Sequence, residues 1–142
     1  MKIVVNKINN NFLFEGKNSS GHKVLLDNKS KKEGEIAGIS PMELLLMGLA
    51  GCSGIDIITI LDKQKLKLNK LKIEVEGFRK KNQFPSPFKK INVKIEAEGN
   101  IDEKKIIRAV QLSFDKYCSV SKTLEHTAQI KYEIIMNTKK IL

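Results

Sequence analysis

Two cysteines, Cys52 and Cys118, are the residues of this 142-residue chain best suited to do chemistry. An ionised thiol is a nucleophile and can be oxidised in reversible steps. The two stand 66 residues apart, so they form no Cys-x-x-Cys redox loop. With His22 and His126 as the only histidines, the spacing offers no zinc ligand set. Cys52 lies in MELLLMGLAGCSGIDIITIL, residues 42 to 61, among Gly48, Gly51 and Gly54. Each glycine weakens a helix by about 1 kcal/mol relative to alanine. Helical side chains lean toward the N-terminus, so the Cys52 sulfur should project over the turn holding Gly48, where no side chain blocks it. Gly51 and Gly54 would let another backbone come close; helix packing alone is the other explanation of all three glycines. At Cys118, a turn from Ser119 onward would aim free N–H groups at the sulfur, and Lys116 and Lys122 are local cations, which favours thiolate over thiol. Position alone favours the plainer reading, in which each cysteine is a small buried hydrophobe.

The elements that must position these thiols are legible from periodicity. KIVVNKI, NFLFEG and HKVLLD alternate apolar and polar residues and read as a meander of three strands. The polar, charged stretch NKSKKEGEIAGIS reads as a loop. It leads to a helix start with Ser40 as N-cap, Pro41 at the first helical position and Glu43 completing a capping box. That helix should run to about Lys65. It is apolar nearly all round, which calls for cover on several sides, and a second copy of the same helix would supply it. Two long strands follow, with Leu71, Ile73 and Val75 on one face of the first and Ile91, Val93 and Ile95 on one face of the second. Asp102 caps a further helix with Ile106, Ile107, Val110 and Phe114 at helical spacing. CSVSKTLEHTA reads as a short helical turn and QIKYEIIM as a closing strand. The length fits one domain, residues 1–142, of the α+β class.

The formal charge is +10, yet 24 of the 26 basic residues are lysines spread among acids. Base and phosphate readers favour the planar arginine fork, so nucleic-acid binding is not the expected role. Only twelve residues, Leu44 to Ile55, precede Asp56 in the apolar run, against about 20 for a membrane span. The N-terminal residues show no signal-peptide pattern, which points to the cytoplasm, where thiols stay reduced.

GISPMELLLMGLAGCSGIDIITIL, followed far downstream by YCSVSKTL, resembles the OsmC/Ohr family of bacterial thiol peroxidases. The likeness covers nearly the whole chain, and GFR at 77 to 79 looks more like an OsmC-like branch than Ohr itself. The resemblance implies an OsmC-like fold and an intertwined homodimer, with a long buried central helix against antiparallel sheets and both thiols at the subunit interface. It implies that Cys52 attacks an organic hydroperoxide and becomes a sulfenic acid. Cys118 then resolves it to a disulfide, and a dithiol, a lipoyl protein or thioredoxin, restores the thiols. No cofactor or metal is expected. Two positions depart from the family pattern. Where the best-known branches carry a glutamate after the helix-start proline, this chain has Met42, and no arginine precedes Arg79. Glu43 is open to two readings, capping box or thiolate activation, and Arg79 to two more, activating cation or solvated strand end. The alternative function is a non-catalytic protein that binds a small apolar or thiol-reactive ligand at the dimer interface.

Overall fold

The structure, a computed structural model, describes every residue from Met1 to Leu142. The chain divides into two compact units, Met1–Leu45 and Leu46–Leu142. In the first, β1 (Ile3–Lys7), β2 (Phe14–Asn18) and β3 (Lys23–Leu26) form an antiparallel sheet in the order β1-β2-β3. The Asn18 side chain closes the β2–β3 turn by accepting from the Ser20 and His22 N–H groups. All five residues of β1 are exposed, including Ile3, Val4 and Val5, so this edge strand carries uncovered apolar side chains.

The charged segment after β3 is more ordered than its composition suggests, because it is wound around a buried carboxylate. Asp27, 3% exposed, accepts from Lys31 Nζ at 2.7 Å, Ala37 N–H at 2.9 Å and Asn28 N–H at 2.7 Å. The Lys31 ammonium and these backbone donors hold its carboxyl below the usual range. The segment ends in the expected capping box: Ser40 Oγ accepts from Glu43 N–H, and Glu43 Oε2 accepts from Ser40 N–H.

There α1 (Pro41–Asp62) begins, and it continues into the second unit. Its end fits the expected boundary near Lys65. Leu66 N–H donates to Leu61 O and Lys65 N–H to Asp62 O, a Schellman pair with Lys65 at a φ of 58° where glycine is usual. By length and composition alone α1 is long and apolar enough to cross a membrane, as the core helix of a water-soluble fold also can be. It buries a stripe of Leu49, Ser53, Ile57 and Leu61 within this chain. Within one chain α1 is covered along this stripe only. Leu45, Met47, Ile55 and Ile58 are exposed, Ile55 by 70%.

The second sheet follows the order β4-β5-β6-β7, built from β4 (Lys70–Arg79), β5 (Phe88–Glu98), β6 (Gln129–Met136) and β7 (Lys139–Lys140). Alternation sends Ile91, Val93, Ile95 and Ala97 of β5 into the core. On the other face Lys72, Glu74, Lys94 and Glu96 make cross-strand and same-strand ion pairs, which is how this part of the lysine excess is solvated among acids. The expectation of antiparallel sheets holds for the first sheet and for β4–β5, but β5 and β6 run parallel. A parallel neighbour requires a long crossover, and here it consists of α2 (Glu103–Leu112), a π-helical turn (Ser113–Tyr117) and α3 (Ser119–Leu124). Asp102 caps α2 through Lys104 N–H as its position predicts, and Ile106, Ala109 and Val110 are buried. β7 was not legible: two lysines carry no strand signal.

Gly77 is where β4 admits the buried Phe88 ring of β5. A Cβ there would sit 2.4 Å from Phe88 Cε1, and the ring, 5% exposed, has little room to yield. Gly77→Ala should therefore destabilise the protein by about 1–3 kcal/mol, the usual cost of an overpacked core. A denaturant midpoint shift at constant m-value measures it.

Candidate functional site

Cys52 sits midway along α1, half-buried, with Gly48 one turn earlier. A Cβ on Gly48 would meet only Val120 of α3, at 3.9 Å, an ordinary contact that does not involve the Cys52 sulfur. Gly54 serves packing: a Cβ there would stand 3.2 Å from Ile73 of β4. Gly51 touches nothing within the chain.

Cys118 is the N-cap of α3 and is fully buried. The Ser121 N–H donates to its sulfur at 3.3 Å, the contact expected of a turn starting at Ser119. The expected thiolate does not follow. Lys116 lies over the Tyr117 ring and Lys122 pairs with Glu125, so both cations are engaged elsewhere. Burial, followed by the neighbouring Cys52 thiol, pushes the Cys118 thiol up to about 12.

The two sulfurs converge. Cys52 Sγ, Cys118 Sγ and a carboxylate oxygen of Asp56 all lie within 4.8 Å of one another. Asp56 is one helical turn beyond Cys52, which places it on the same face. Ser113 Oγ donates to Asp56 Oδ2 at 3.0 Å, and Ser113 O accepts from Cys118 N–H at 2.8 Å. One residue of the π-helical turn thus holds both the acid and the second cysteine. Neither Asp56 nor Ser113 was singled out in the sequence. The spacing of four from Cys52 was a signal for Asp56, which was noticed only as an interruption of the apolar run. Ser113 carried none, because a π-helical turn has no pattern that separates it from the end of a helix.

Glu43 and Arg79 make no hydrogen bond or ion pair with Cys52, Asp56 or Cys118. The Glu43 carboxylate is committed to Ser40 N–H and to Lys29 Nζ, which hold its carboxyl below the usual range. Arg79 ends β4 beside a register shift; it is exposed and forms no ion pair within the chain.

A family model described as OsmC-like protein matches residues 32–133. The chain belongs to the OsmC-like family. Among its relatives, Protein YhfA of Escherichia coli K12 is 34% identical over 125 residues, covering 86% of this OsmC-like chain and 90% of YhfA. A hypothetical protein from Aquifex aeolicus, solved by crystallography, is 30% identical with a TM-score of 0.78, covering 96% of each chain. The organic hydroperoxide resistance protein OhrB of Bacillus subtilis shares the fold, with a TM-score of 0.65 at 18% identity, over 94% of this chain and 96% of OhrB.

A thiol that stays neutral when buried and ionises when unfolded stabilises the fold below its unfolded pKa. That contribution disappears as pH rises through the folded value. Between pH 9.0 and about 12 the wild type should lose stability faster than Cys118→Ser. Denaturant midpoints of the two proteins compared across alkaline pH will test this, and parallel curves would show that Cys118 is not held as a neutral thiol.

Proposed function

We propose that this protein is a dimeric thiol peroxidase of the cytoplasm that reduces organic hydroperoxides, with Cys52 attacking and Cys118 resolving. The observation that carries the proposal is the convergence of a half-buried and a fully buried sulfur from distant elements within 4.8 Å. The accessible sulfur of Cys52 takes the terminal peroxide oxygen, the O–O bond breaks, and an alcohol leaves after gaining a proton. Cys52 is then a sulfenic acid. The Cys118 sulfur attacks it, loses its proton, and releases water as the disulfide forms. A dithiol, lipoyl or thioredoxin, exchanges twice and leaves as its own disulfide. The neutral state of Cys118 favours Cys52 as the first nucleophile. The shared fold with OhrB supports the choice of substrate class.

The uncovered apolar residues of α1 and β1 support the dimer, since a second copy would remove them from water. Activation by Arg79, and any role of Glu43 beyond its cap, would come from that second copy. The family match runs across the boundary between the two units, which supports treating 1–142 as one domain. A second reading rests on the acid beside the thiols, where an activating cation would be expected. In that reading the protein binds a small apolar or thiol-reactive ligand without turnover, and the ligand raises the melting temperature equally in wild type and Cys52→Ala.

Two measurements test the proposal. Cumene hydroperoxide should consume both thiols of the wild type and leave Cys118→Ser trapped as a dimedone-reactive sulfenic acid, with no turnover in Cys52→Ser. An unchanged thiol titre would remove the peroxidase reading. In sedimentation, the wild type should run as a dimer and Ile55→Glu as a monomer; a monomeric wild type would remove the shared site.

A further inference from the structure

The sulfur cluster has a chemical property that peroxide reduction does not use. Cys52, Asp56 and Cys118 offer two sulfurs and a carboxylate oxygen, three groups that carry negative charge when ionised, all within 4.8 Å. No lysine or arginine side chain is hydrogen-bonded to Asp56, and the two lysines that flank Cys118 in the sequence are engaged with Tyr117 and Glu125. The group that would complement such a cluster is a cation. We propose that the reduced protein binds one soft divalent cation of the zinc class through Cys52, Cys118 and Asp56, and that occupancy protects the thiols from oxidation.

The donor set fits. Tetrahedral zinc with sulfur at about 2.3 Å and oxygen at about 2.1 Å places neighbouring ligand atoms roughly 3.4–3.8 Å apart, so the cluster closes by about 1 Å. Two thiolates select a thiophilic ion over magnesium or calcium. The Ser113 hydroxyl, donating to Asp56 Oδ2, leaves the carboxylate's other oxygen for the metal and fixes its orientation, the usual role of an outer hydrogen-bond partner. Three protein ligands leave a fourth position open at the half-buried Cys52 side. Binding is balanced by release of two protons, one from each thiol, so affinity rises with pH. Oxidation to the disulfide removes both thiolates and ejects the ion. The proposal uses the same two thiols as the peroxidase reading but not their turnover.

Cobalt(II) is the probe, added to protein reduced with a phosphine and then stripped of reductant. The expected result is one site per chain with a near-ultraviolet thiolate-to-cobalt charge-transfer band, displaced by zinc. Cys52→Ser and Cys118→Ser should each lose about half of that band, with circular dichroism confirming the fold. Ser113→Ala should weaken binding roughly tenfold and Asp56→Asn by more. Zinc should slow thiol loss to cumene hydroperoxide. A reduced wild type with no charge-transfer band, or a disulfide form that binds equally, as it would through His22 and His126, overturns the proposal. Cobalt binding without peroxide turnover would uphold this inference and remove the previous one; turnover without cobalt binding would do the reverse.

Discussion

The structure depends on one electrostatic constraint: three groups that each gain a negative charge on ionisation share a space less than 5 Å across. Two unit charges 4.8 Å apart repel by about 3–4 kcal/mol at an effective dielectric near 20, which is worth more than two decades in an ionisation equilibrium. The chain resolves this by burying Cys118 completely and keeping it as a thiol, while Cys52 stays within reach of solvent. The Ser121 N–H favours the Cys118 thiolate but is outweighed by burial and by the neighbouring thiol. Two chemically identical side chains thereby differ in their access to solvent through position alone.

Holding that arrangement is the work of the crossover between β5 and β6. A regular helix running from Asp102 onward would carry Cys118 past the cluster on a fixed 3.6-residue phase. The π-helical turn adds a residue to one turn, bonding Cys118 N–H back to Ser113 O, and so resets the phase at the point where Ser113 must also reach Asp56. α3 then starts on Cys118 itself, with the sulfur in the place a serine oxygen usually takes.

Local rules were readable in the sequence wherever they act over a few residues. The Ser40 and Asp102 caps, the alternation of β4 and β5 and the three-stranded meander all follow from spacing. The features that eluded it depend on partners far along the chain. The lysines flanking Cys118 favour a thiolate only by their place along the chain; in space the ring of Tyr117 and the carboxylate of Glu125 engage them. The parallel pairing of β6 depends on the path of the crossover, and Asp56 matters only because Ser113 and Cys118 come to it. The resemblance to OsmC/Ohr proteins located both cysteines but carried with it an arginine and a glutamate that this chain does not supply at those positions.

That substitution changes the physical task of the pocket. Where an arginine stands beside a thiol, the protein itself supplies the charge that makes the sulfur nucleophilic, and the reduced site is electrostatically complete. Here the neighbour is an acid, and any negative charge that the thiols gain on ionisation adds to it. On the proposals above that repulsion is avoided in two ways: a soft cation enters, or the sulfurs give up their ionisable state by joining in a disulfide. Both outcomes relieve the same repulsion, and each excludes the other. On the two proposals together, the site reacts with peroxide only when reduced and free of a cation, so its response would depend on how much free metal surrounds it.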